Sequence, residues 1–187
     1  MRAAGGLTAA AAYHWIGELY NRTPYEPVRD RYTDDDSLPI QHGLFYRADQ
    51  YPDDHLLLDG AILRRRYDPD FLLIGPMNTD DAGHRHGGDS GHYRNAARNV
   101  DNALSTQLPG WLAASYQVIV TSDQGMNRDH TQRGVLPEER QVPLFVMGTG
   151  FSHDPAAAPR QTVLCGVLAD LIGVTHHKPR NLSLLAP

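Results

Sequence analysis

PDFLLIGPMNTDDAGHRHGGDS, residues 69–90, decides how the chain is read. An apolar run through Phe71–Ile74 gives way within a few residues to Asp80, Asp81, His84 and His86. A continuous apolar run of this length is the pattern of a strand buried on both faces of a parallel sheet. Carboxylate and imidazole are costly to desolvate unless something binds them, so a buried strand that ends in both points to a metal ion. Asp80 and His84 stand four apart, a spacing at which a tight turn after the strand aims both side chains at one point. Carboxylate oxygen and imidazole nitrogen are natural ligands for zinc or a similar divalent ion.

Outward from this stretch, helix and strand patterns alternate. Upstream, GGLTAAAAYHWIGELYNR (residues 5–22) predicts a helix of about three turns, with Thr8 as its cap and Trp15, Ile16 and Leu19 on its apolar face; His14 and Trp15 read as packing residues. Residues 21–54 hold four prolines and many turn formers, with only HGLFY extended, and predict a long irregular excursion. DHLLLDGAILRRRY (54–67) predicts a helix with Asp54 near its start and Arg64–Arg66 at a solvated end. Downstream come a helix from about Ser90, strands in SYQVIVTSD (115–123) and QVPLFVMGTG (141–150), and a helix in 158–174 ended by Gly173. This order predicts an α/β fold, a parallel-sheet core with flanking helices. Ligands in such sheets sit beyond the carboxyl ends of the strands, where Asp80, His84 and Asp123 all fall.

The 187 residues suit one domain, 1–187, with a real core. With 41% hydrophobic and 21% charged residues the chain is expected to fold, and a net charge of −5 without a basic stripe argues against nucleic acid polymers as partners. No apolar run approaches a membrane span, and no signal peptide is evident. Cys165, the single cysteine, is expected as a small core residue, which suits a reducing, cytoplasmic setting. His86 and His92 read as surface histidines. Tyr25, Tyr32, Phe45 and Tyr46 are expected to pack over the sheet edge, with stacking on a substrate as the alternative.

Residues 69–104, with YQVIVTSDQGMN, GVLPEERQVPLFVMGTGFS and QTVLCGVLADLIGVTHHKP, resemble the alkaline phosphatase superfamily in its type I phosphodiesterase and nucleotide pyrophosphatase branch. The resemblance implies two metal ions, usually zinc, at the carboxyl edge of a parallel sheet, and a Thr or Ser nucleophile attacking phosphorus. By motif, Asp80 and His84 resemble two ligands of one zinc, and Asp123 a ligand of the other. The family pattern continues with a histidine after the second aspartate where this chain has Gln124, and with another histidine where it has Gln132, followed by Arg133 and Gly134. A glutamine carbonyl is a neutral, harder donor than imidazole, so a weakened site is expected, with His130 as a substitute ligand. The family's nucleophile and first aspartate ligand belong to a region before residue 1, which implies a partial domain without its amino-terminal strands, completed by an upstream segment or a second chain. Three readings follow: part of a metal-dependent hydrolase of phosphoric esters or diphosphates acting on a small phosphorylated substrate; a catalytically inactive member that keeps a weak metal or ligand site; or a truncated fragment without function.

Overall fold

Ala9, Ala10, Ala11 and Ala12 are 0–1% exposed and form the middle of a strand, β1 (Thr8–Tyr13), where the sequence predicts a helix. Alanine is the best intrinsic helix former, but propensity is a weak prior that tertiary burial overrides. In β1 the methyl side chains fill both faces of the sheet, and only small residues let covering groups approach that closely. The helix that follows, α1 (His14–Tyr20), is just seven residues long. Thr8 caps no helix: it opens the strand, its hydroxyl donating to the Pro39 carbonyl at 2.6 Å. Trp15 and Leu19, expected to be packed, are 59% and 72% exposed.

The computed structural model describes residues 5–132 and 134–187. Their contacts divide into two compact units, Met1–Gln107 with Met126–Thr131, and Leu108–Gly125 with Gln132–Pro187.

In the first unit the irregular excursion proves to be tied into the sheet. It holds α2 (Pro27–Asp30), β2 (Tyr32–Asp34) and β3 (His42–Tyr46), the HGLFY segment. Next come α3 (Asp53–Tyr67) and β4 (Phe71–Gly75), both where the sequence places them. The strand order is β2-β3-β1-β4; β1 runs parallel to β3 and β4, and β2 is antiparallel to β3. The sheet is therefore mostly parallel, flanked by helices. The strand buried on both faces is β1; β4, next to it, is half-buried along its length.

Ala9 and Ala11 meet Leu56 and Leu63 of α3 and Tyr46 of β3 in the main core. Of the excursion's aromatic groups, Phe45 and Tyr46 are buried and the half-buried Tyr25 donates its hydroxyl to the Phe45 carbonyl, whereas Tyr32 is 44% exposed, its hydroxyl bonded to that of Tyr67 at 2.6 Å. After β4 come α4 (Asn78–His86) and α5 (Gly91–Ala113).

The second unit contains the end of α5, β5 (Val118–Thr121), α6 (Pro137–Arg140), β6 (Leu144–Met147) and α7 (Leu164–Leu171). The two strands lie where the sequence predicts them but pair with each other antiparallel, Val118 opposite Met147, rather than parallel. A parallel crossover is usually carried by a helix long enough to cross the sheet, and among the described residues the only helix between β5 and β6 is the four-residue α6. Phe151, Val167 and Leu184 form this unit's core. Cys165, expected in a core, is exposed on α7, because the buried face of that helix is taken by Gly166 and Val167. Among the described residues no helix is long and apolar enough to cross a membrane.

Candidate metal centre

The cluster after β4 is a helix, α4, and not the tight turn its glycines and aspartates suggest. Its charges suit the helix dipole, with Asp80 and Asp81 in the first turn and His84, Arg85 and His86 in the last. Residues four apart on a helix share a face. Asp80 Oδ1 and His84 Nε2 accordingly stand 3.6 Å apart. Asp80 is half-buried and His84 exposed, so the pair looks outward from a supported helix.

A second segment braces this pair. Gly87, with φ of +81°, ends α4, and Gly88 lies so close to residues 126–127 that a Cβ there would sit 2.1 Å from the Met126 carbonyl oxygen. The Gly88 N–H donates to the Asn127 carbonyl at 2.8 Å. Gly83 does the same service on the helix itself, where a Cβ would come within 2.8 Å of the Met126 side chain. These close approaches bring residues 126–131 alongside α4. His84 Nδ1 then bonds the His130 carbonyl at 3.1 Å, and His130 Nδ1 bonds the His84 carbonyl at 2.9 Å. The His130 carbonyl can only accept, so His84 Nδ1 carries a proton, which leaves Nε2, the atom facing Asp80, as the nitrogen able to bind a metal. His130 thus touches His84 through its carbonyl and Nδ1, as a brace.

Electrostatics around α4 are mixed. Burial holds the Asp81 carboxyl above the usual carboxylate range, opposed by Arg85 and reinforced by Asp49 and Asp80. Burial also raises the Tyr93 hydroxyl, with Asp80 adding to it. His86 and His92 stack with ring centroids 4.0 Å apart, and desolvation, then His92, Arg85 and His130, hold His86 below the ordinary histidine value. Stacked rings present faces, not nitrogens, to each other, in keeping with surface histidines rather than a chelate.

In the second unit, Asp123 is exposed two residues beyond the end of β5. Gln124 and Gln132 are half-buried, and the backbone carbonyl of Gln124 accepts from the Ser122 hydroxyl at 2.6 Å. Arg133 lies outside the described residues. Among the described residues no three His, Cys, Asp or Glu side chains are grouped to hold a metal.

The family model for type I phosphodiesterase / nucleotide pyrophosphatase matches residues 1–140. The chain belongs to that family. The match takes in β1 to α6, with all six candidate residues, and supports the alkaline-phosphatase-like architecture and a hydrolase of the phosphodiesterase and nucleotide pyrophosphatase type. No curated protein matches the chain. Metal dependence is general in the phosphodiesterase family, and the Asp80–His84 pair fits it chemically. With zinc bonds of about 2.1 Å and tetrahedral angles, two ligand atoms of one ion sit about 3.4 Å apart. Their separation here is close to that, and the oriented His84 tautomer is the one a metal needs.

Two residues of this region escape a reading of the sequence: Asp53 and Asn78. Asp53 is 4% exposed at the start of α3, and its Oδ1 accepts the N–H groups of Met77 and Asn78 at 3.1 and 3.4 Å, at the entrance of α4. The only local signal is a pair of aspartates at a helix start, which any cap would explain.

Proposed function

We propose that this chain is part of a zinc-dependent hydrolase of phosphoric esters or diphosphates, with Asp80 and His84 holding one ion and Asp123 contributing to a second. The observation that carries the reading is the Asp80–His84 pair on adjacent turns, 3.6 Å apart, with His84 oriented from behind by the His130 carbonyl. When bound, such metals lower the pKa of an attacking oxygen and neutralise the charge that develops on phosphorus-bound oxygens. Asp80 contributes anionic charge and His84 a neutral nitrogen; the His130 carbonyl keeps the imidazole from turning. A small phosphorylated molecule is the substrate. The setting is cytoplasmic, in keeping with a lone, unpaired Cys165.

A second reading, an inactive member with a weak metal site, is favoured by Gln124 and Gln132. One titration addresses both. Calorimetry with zinc chloride is expected to give a micromolar or tighter dissociation constant that Asp80→Ala abolishes, and Gln124→His with Gln132→His should tighten it. Absence of zinc binding in the parent chain would remove the metal centre. Tightening in the double variant without turnover of an aryl phosphodiester would favour the inactive member.

A further inference from the structure

α4 has no cap of its own. Met77, at its N-cap position, makes no side-chain bond to the first turn, so the N–H groups that every helix leaves unpaired there must be met from elsewhere. Two of them are met by another helix. Asp53, the first residue of α3, accepts the Met77 and Asn78 N–H groups through Oδ1, and the Asn78 side chain returns the bond, its Oδ1 accepting the Asp53 N–H at 3.2 Å. The Asn78 carboxamide nitrogen also donates to the Tyr51 carbonyl at 3.1 Å and the Asp49 carbonyl at 3.5 Å.

This clamp is an expensive way to cap a helix. Asp53 is almost wholly buried and its second oxygen, Oδ2, has no hydrogen-bond partner. Burial raises its pKa, against the two backbone N–H groups that lower it. A buried, half-satisfied carboxyl costs stability that a local Ser, Thr or Asn cap would not. What the arrangement provides instead is a fixed reference. Leu56 and Leu63 root α3 in the main core, so Asp53 ties the entrance of α4 to a helix anchored in the packed core of its unit.

We propose that Asp53 and Asn78 are a positioning pair that fixes the first turn of α4 and thereby holds Asp80 at metal-binding distance from His84. The proposal rests on the reading of Asp80 and His84 as metal ligands. His84 is braced from behind by His130; Asp80 sits one turn nearer the helix start, where the Asp53 clamp sets the backbone. The pair acts on the metal through helix geometry, as outer groups that orient ligands commonly do.

The test uses the whole chain, with zinc chloride as ligand, cobalt(II) as its spectroscopic substitute, and amide exchange without metal. Asp53→Ala should weaken zinc binding about tenfold or more, change the visible spectrum of bound cobalt, and speed exchange of the Met77 and Asn78 amides. Asp53→Asn keeps an oxygen acceptor and should restore affinity to within about threefold of the parent. Leu63→Ala, which empties core under α3 without touching the clamp, should leave affinity within about twofold, so that lost stability alone is not read as lost positioning. If Asp53→Ala does not fold, Asn78→Ala serves in its place with the same expectations. Parent-like zinc affinity and cobalt spectrum in either alanine variant, with Asp80→Ala still abolishing binding, would overturn the positioning role and leave the metal reading intact. Unchanged zinc binding in Asp80→Ala would instead remove the metal reading, and with it the role proposed for the pair.

Discussion

Asp30 shows how much of the excursion between β1 and β3 hangs on one carboxylate. Its side chain accepts from Arg29 Nε at 2.7 Å and Nη2 at 2.6 Å, from the Glu26 N–H at 2.8 Å and from Arg22 Nη1 at 3.5 Å. The Arg29 bonds, then the backbone bond to Glu26, hold its pKa at about 2, against the desolvation that would raise it. A carboxyl with a depressed folded-state pKa stabilises fully above its unfolded value, near 4, and loses that contribution as pH falls through the folded value. The shift is worth about 1–2 kcal/mol once screening of the partly exposed Arg29 is allowed for. Asp30→Asn should therefore lower the urea midpoint at pH 7, and the gap to the parent should close as pH falls from about 4 to about 2. A gap that stays the same at both ends of that range would mean shape, not charge, carries the effect.

At the scale of elements, β1 separates what sequence pattern conveys from what it does not. Phe71–Gly75, HGLFY, α3 and the end of α7 at Gly173 are all legible, because an apolar run, a strand-rich pentapeptide, a 3.6-residue pattern and a left-handed glycine each have one dominant reading. Ala9–Ala12 has two. Four alanines carry no periodicity, and local propensity then favours a helix that the sheet overrides. The antiparallel pairing of β5 with β6 is hidden for a related reason: strand pattern is the same in either direction. At the candidate centre, Asp80, His84 and Asp123 stand out because their residue types are chemically unusual at strand ends; the clamp from Asp53 does not, since its partners lie 24 and 25 positions away. Packing gives a direct check. Ala11→Leu should cost about 1–3 kcal/mol by overpacking the sheet. Leu19→Ala, on the exposed side of α1, should stay within about 0.5 kcal/mol. Chemical denaturation showing the reverse order would mean that residues 8–20 are one helix with Leu19 on its buried face.

For the molecule as a whole, the division into two units predicts how it unfolds. The boundary at Gln107 and Leu108 falls inside α5, beside Pro109, which lacks the N–H that would continue the helical bonding. The first unit's core draws on α3 and three strands; the second unit's core is built on Phe151, Val167 and Leu184. The stability of a unit grows with the apolar surface it buries, and chains with more than one unit commonly depart from a single transition. Each unit carries one tryptophan, Trp15 in the first and the buried Trp111 in the second, so Trp15→Phe and Trp111→Phe each leave a single reporter. Trp111 fluorescence in the first variant should change at lower urea than Trp15 fluorescence in the second, with the circular dichroism of both spanning the two steps. Superimposable curves from both reporters would show one cooperative fold, in which α5 carries stability across Pro109 and the small core around Val167 survives only as long as the sheet does.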